Sequence, residues 1–160
     1  MPTSKRSGSL CIGVISDTHG LLRPQAMDAL LGVDAILHAG DIGSAGILEE
    51  LRTIAPVAAI RGNNDRAAWA RDIPDHCVVD YGAARIYLLH DRNELRRYPA
   101  PDGCNVIVTG HSHKPLVERR GDVLYVNPGS AGPRRFTLPV SLALLHVGAA
   151  IEARIVELAV

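Results

Sequence analysis

Seven side chains able to hold a metal ion stand just beyond short apolar runs. Asp17 and His19 follow the run Leu10 to Ser16, Asp41 follows Asp34 to His38, and Asn63 follows Val57 to Ile60. His90 closes Ile86-Tyr87-Leu88-Leu89, and His111 with His113 follows Val106-Ile107-Val108. Two carboxylates, four imidazoles and one amide oxygen are more donors than one tetrahedral zinc takes. They suit two ions sharing a bridging carboxylate, as in hydrolytic sites whose ions lie about 3.5–4 Å apart. No thiolate belongs to the set, so its mixed imidazole and carboxylate donors favour Mn, Fe, Zn, Ni or Co over Ca or Mg. The Asp-x-His and His-x-His spacings are those at which alternate residues of an extended segment point the same way. Singly, each motif has an ordinary explanation: Asp17 can end a turn, and Asn63-Asn64-Asp65 has turn chemistry. In this order, each at a strand end, the set is specific for metal.

The elements that must position these groups follow from the same apolar runs. Leu10 to Ser16, Asp34 to His38 and Val57 to Ile60 read as strands. The intervening segments have helical spacing. Pro24 to Leu31 offers Ala26, Met27, Leu30 and Leu31 to one face, with Pro24 in the first turn. After Ser44 as cap, Ile47, Leu48, Leu51 and Ile54 face inward. Strand-helix-strand-helix-strand predicts parallel pairing with right-handed crossovers, and ligands bind at the carboxyl edge of such sheets. The later chain reads as hairpins: His76 to Tyr81 with Arg85 to Leu89, Leu116 to Glu118 with Val123 to Val126, and Val140 to Val147 with Ile151 to Leu158. Asp91 to Tyr98 is short, polar and helix-like. The expected class is α/β (α+β), with two packed sheets, helices outside and one domain over residues 9–160. Residues 1–8 read as a flexible tail.

Composition narrows the function classes. The chain has 160 residues, and 17 Lys+Arg balance 17 Asp+Glu. That length permits a substantial core. One Trp, one Phe and four Tyr in a neutral chain count against a nucleic-acid platform, which needs a basic face and stacking rings. No apolar run approaches the ~18 residues of a membrane span. Cys11, Cys77 and Cys104 are odd in number and widely spaced, which fits small buried hydrophobes in a reducing, cytoplasmic setting.

The chain resembles the calcineurin-like metallophosphoesterase superfamily, nearest its small single-domain bacterial and archaeal phosphodiesterases. The resemblance runs through Ile15 to Gly20, His38 to Asp41, Gly62 to Asp65, Gly110 to His113 and Asn127 to Ser130. It implies a four-layer αββα sandwich of two mixed β-sheets flanked by helices. It also implies two divalent transition-metal ions, with Mn first and Fe, Ni, Zn or Co as alternatives. By position, Asp17, His19 and His113 would hold one ion, Asn63, His90 and His111 the other, and Asp41 would bridge them. The implied activity is hydrolysis of phosphodiesters, and of phosphomonoesters, by in-line attack of a metal-bridging hydroxide on a small phosphoester.

Two departures stand out. Asn64 occupies the place where many relatives have a histidine that assists the leaving group, and asparagine supplies no proton at neutral pH. Aryl esters should therefore outrun alkyl ones. Leu89-His90-Asp91 stands where relatives tend to have His-Gly-His. Asn64 and Asn127 are the candidate substrate-binding residues. Arg66, Arg134 and Arg135 are read as solvent-facing before phosphate-binding. His38 is either an orienting partner of a ligand or a satisfied core histidine, Trp69 is packing, and His76 and His146 carry no assigned role. The competing class is a weakly catalytic interaction scaffold of the same fold, like the sorting subunit of the retromer. A homo-oligomer is compatible with either.

Overall fold

Alternation along β1 (Leu10–Ile15) explains why two layers build on it. Ile12 and Val14 enter a core on one face, whereas Cys11 and Ile15 pack on the other. In this computed structural model, which describes residues 9–160, β1 is followed by α1 (Pro24–Ala29), β2 (Ala35–His38), α2 (Ala45–Arg52) and β3 (Val57–Ala59). Then come β4 (His76–Tyr81), β5 (Ala84–Leu89), β6 (Val106–Val108), β7 (Leu116–Arg120), β8 (Val123–Asn127), β9 (Ser141–Val147) and β10 (Ile151–Glu157). The tail expected over residues 1–8 lies outside the described residues.

The strands form two five-stranded mixed sheets, ordered β10-β9-β1-β2-β3 and β4-β5-β6-β8-β7. β1, β2 and β3 pair in parallel, as the alternating pattern predicts. β5, β6 and β8 form a second parallel set, with antiparallel β4 and β7 at the edges. Between the sheets lie Ile12, Val14, Leu37, Ile86, Leu88, Val108, Val126 and Leu145. On the far face of the first sheet, Ile15, Ile36 and Leu142 meet Ala26, Leu30, Ile47, Leu48 and Leu51 beneath the two helices.

The outer layers are unequal. Both α-helices cover the first sheet. The outer face of the second is covered by Leu95 and Ala100 over Tyr87, Leu89 and Ile107, with one 3₁₀ segment, Arg92–Arg96, as its only helical turn among the described residues. Pro99 and Pro101 close off that segment, which explains its brevity. α1 ends before Leu31, which is 69% exposed rather than inward-facing. Ser44 has the extended backbone of a helix cap but makes no capping hydrogen bond. Ile54 packs from beyond the end of α2. Among the described residues no helix is long and apolar enough to cross a membrane.

Candidate metal centre

The carboxyl ends of both parallel sets meet at one edge of the sandwich. Backbone bonds continue the ladders into the loops: Asp17 N to Gly40 O at 2.9 Å, His19 N to Asp41 O at 2.9 Å and Gly110 N to His90 O at 2.9 Å. Side chains then join the two sheets. His111 N donates to Asp17 Oδ2 at 3.1 Å, and His90 Nδ1 bonds Ala39 O at 2.6 Å.

The turns are unusual. Asp17, His19, Asp41, His111 and His113 all have positive φ, between 46° and 69°. Non-glycine residues enter this region at a cost of roughly 1–3 kcal/mol each, and functional sites are where such strain collects. The expectation that Asp-x-His and His-x-His are extended is therefore corrected. Left-handed turns aim these residues, and His111 and His113 part to different groups.

Two clusters result. Asp17, His19 and His113 each bring one donor atom within 4.8 Å of the others, and so do Asp41, His90 and His111. Asp17 Oδ1 faces His113 Nε2 at 3.4 Å, His19 Nε2 at 3.7 Å and His90 Nε2 at 3.9 Å. Asp41 Oδ2 lies 3.2 Å from His90 Nε2 and 3.7 Å from His19 Nε2, so one oxygen looks into both clusters. The other oxygen of each carboxylate is tied down. Asp17 Oδ2 accepts from Ser16 Oγ at 2.6 Å, and Asp41 Oδ1 accepts from Asn64 N at 3.0 Å.

This geometry fits metal. Among the described residues, Asp17 Oδ1, His19 Nε2, His90 Nε2 and His113 Nδ1 are buried polar atoms without a hydrogen-bond partner. Three of these four belong to the facing pairs above, at 3.2–3.9 Å. Donors each about 2.0–2.2 Å from a shared ion would stand at comparable separations, whereas orphaned buried groups are otherwise costly.

Electrostatics agrees. Burial alone would raise the Asp17 carboxyl, but His113, His19, the charge of His90 and the Ser16 hydroxyl hold it far below the usual carboxylate range. Asp41 is also lowered, because His90 and the Asn64 N–H outweigh its burial. Asp17 raises His19 against the opposing effect of burial, with help from Asp41. Burial would lower His90, but Asp41, Asp17 and the Ala39 carbonyl raise it.

The model of the calcineurin-like phosphoesterase superfamily domain matches residues 10–150. The chain belongs to that superfamily. A probable metallophosphoesterase of Methanothermobacter thermautotrophicus is 36% identical over 160 residues, covering 92% of each chain. Among solved structures, an archaeal phosphodiesterase superposes with a TM-score of 0.77 at 26% identity, covering 93% of this chain and 100% of the other. Vacuolar protein sorting 29 of Cryptosporidium parvum gives 0.76 at 22% identity, covering 96% and 100%, which shows the shared fold.

Asp91, in place of glycine, has φ −114°, an ordinary backbone that needs no glycine. Its carboxylate accepts from Asn93 N at 3.0 Å and stands 3.8 Å from His111 Nε2. Asn63 and Asn64 are exposed, and Asn63 lines a cleft shared with His90, Asp91 and Arg66. Asn127, expected to meet substrate, is buried and has a different task. Its amide donates to Gly110 O at 3.0 Å and Ser112 Oγ at 3.1 Å, while Oδ1 accepts from Gly129 N at 2.9 Å. That side chain holds the His111–His113 turn in place.

His38 is resolved likewise. Gly40 N donates to its Nδ1 at 3.1 Å, which puts the proton on Nε2, bonded to Thr18 Oγ1 at 3.0 Å. Burial pushes its pKa down to about 4, so at neutral pH it is an uncharged strut between the two aspartate loops. Sequence reasoning missed Asp65. This buried carboxylate gathers the N–H groups of Ile42 at 3.0 Å, Gly43 at 3.1 Å and Gly62 at 2.9 Å, fixing the loop that carries Asp41. Its signal was present: a carboxylate three residues after glycine suits a turn that collects amides. Trp69 packs beneath the first sheet as expected, whereas Cys11, Cys77 and Cys104 are half-buried rather than fully enclosed.

Proposed function

We propose that the protein is a metal-dependent phosphodiesterase, acting also on phosphomonoesters, with two ions per chain. Asp17, His19 and His113 hold one, Asn63, His90 and His111 the other, and Asp41 bridges. The carrying observation is Asp41 Oδ2, set 3.7 Å from His19 Nε2 and 3.2 Å from His90 Nε2. The names of the metallophosphoesterase and phosphodiesterase relatives support the activity.

Bound there, two divalent ions supply an acidified water and positive charge for the phosphate oxygens. The family resemblance puts Mn first, with Fe, Ni, Zn or Co as alternatives, and the mixed imidazole and carboxylate donors suit each of them. The chain's own residues prepare the site. Ser16 and the Asn64 N–H orient the two carboxylates through their outer oxygens. The bond from His90 Nδ1–H to Ala39 O leaves the Nε2 lone pair facing the site. Asn64, at the rim, donates a hydrogen bond to phosphate but no proton, so aryl diesters react faster than alkyl diesters.

The substrate is a small phosphoester in the cytoplasm. The likeness to the vacuolar sorting protein carries the fold alone, and the fully furnished donor set speaks for catalysis over a scaffold role. Asp41→Asn tests the assignment. It should cut hydrolysis of bis(p-nitrophenyl) phosphate at least 100-fold, on the order expected when a metal clamp is lost. Wild-type turnover in this variant would refute the site.

A further inference from the structure

The loop after β3 supplies Asn63 and also seats a cation beside it. Gly62 N donates to Asp65 Oδ2 at 2.9 Å, Asn64 N to Asp41 Oδ1 at 3.0 Å and Arg66 N to Asn64 O at 3.1 Å. The backbone from Gly62 to Arg66 is thereby fixed against the carboxylate placed between the two clusters. The Arg66 side chain folds back onto the same loop, where Nε donates to Asn63 O at 3.2 Å. Its guanidinium thus rests on the backbone of a candidate ligand of the second ion.

A cleft of about 250 Å³ opens at that ion's position, with Asn63, His90, Arg61 and Arg66 in its wall. The two guanidiniums differ in what they have left to bind. Arg61 is occupied, with Nε and Nη2 each 3.0 Å from Asp75 Oδ1. Arg66 commits only Nε, and to a neutral carbonyl. Among the described residues its terminal nitrogens have no partner, and Glu94 in the same wall forms no ion pair with it. Arg66 is exposed, as its sequence context suggests, but it is exposed in the wall of this cleft. A guanidinium held by one N–H, with the rest of its fork free, presents donors in the geometry that phosphate oxygens accept.

We infer that Arg66 is a substrate-binding residue, its free guanidinium nitrogens donating to a non-bridging phosphate oxygen on the second ion's side. The inference rests on the phosphoesterase function proposed above. Ester and phosphate product both carry such an oxygen, so the contact holds the phosphate throughout and takes no part in the bond that breaks. Arginine keeps its proton, so none is transferred.

The Mn-loaded enzyme tests this with bis(p-nitrophenyl) phosphate as substrate and inorganic phosphate as competing anion. Arg66→Gln should raise KM about 10-fold or more, as loss of a charge-assisted hydrogen bond predicts, with kcat within about twofold of wild type. The inhibition constant of inorganic phosphate should rise by a similar factor. Both ions and the wild-type Tm should be retained, because the Asn63 carbonyl released by Nε turns to water at an exposed site. Arg66→Ala should behave as Arg66→Gln does. Unchanged KM and phosphate inhibition in both variants, or a loss confined to kcat, would overturn the inference and leave the phosphoesterase function standing. A lost metal ion or a lowered Tm would overturn it too, by showing that Arg66 braces Asn63 instead of holding substrate. A wild type that binds two ions and hydrolyses no phosphoester would remove the function and the inference together.

Discussion

Protons and metal ions compete for the same atoms at this edge. The pKa values of His19 and His90 are raised, His19 chiefly by Asp17 and His90, against its burial, by Asp41 and Asp17, so the metal-free chain keeps protons there to higher pH than a free imidazole does. Their contribution to metal-free stability is full below about pH 6.5 and is lost as pH rises through the raised values. The lowered Asp17 and Asp41 contribute above about pH 3.9, and lose that contribution as pH falls through their folded values. Metal must displace the histidine protons, so affinity should tighten between pH 6 and pH 8 with proton release. Calorimetric titration in buffers of different ionisation enthalpy would detect the released protons; no release would count against imidazole ligation. Asn64 allows a second check at this scale. Asn64→His should raise turnover of alkyl diesters about 10²-fold or more while changing aryl diesters little, as general acid catalysis predicts. Equal gains on both would show that proton supply is not what limits the wild type.

At the scale of elements, the site is held by loops that bind one another. Asp65 joins the loop after β2 to the loop after β3, and Asn127 joins the end of β8 to the His111–His113 turn. Asp65→Asn places an amide N–H against backbone N–H donors. It should cost about 1–3 kcal/mol in urea denaturation and weaken metal retention. Retained stability and full metal content would mean the loop is shaped by other contacts. Close approach adds a constraint at Gly62 and Gly110. A Cβ on Gly62 would strike Asp41 Oδ1, and one on Gly110 would strike Ser16 Oγ.

These contacts explain what was legible before the structure. Polar residues stopping apolar runs marked Asp17, Asp41, His90 and His111 as strand-end donors, because a buried strand and its exit differ in hydropathy. The left-handed backbones of Asp17, Asp41 and His111 were not legible, since tertiary bonds between distant loops impose them. Asn127 looked like a substrate group because residue type does not reveal which backbone partners will claim an amide. Leu31 reads as inward-facing because helical spacing persists two residues past the point where α1 ends.

At the scale of the whole molecule, zero net charge hides a concentrated field. Two divalent ions would add about +4 at the one edge where phosphate must bind. The neutral apo chain would become a holo protein with its positive charge focused there. Such ions bind the folded chain in preference to the unfolded one, so chelation should lower Tm by several degrees. Differential scanning calorimetry before and after dialysis against EDTA would show it, and an unchanged Tm would mean the clusters hold no metal.

The most direct test of the account is the metal content of the purified protein, measured by elemental mass spectrometry after equilibration with Mn at pH 8. Two ions per chain in the wild type, falling to one or none in Asp41→Asn, is the predicted result. One ion or none in the wild type, or two ions retained without Asp41, would contradict the bridged pair.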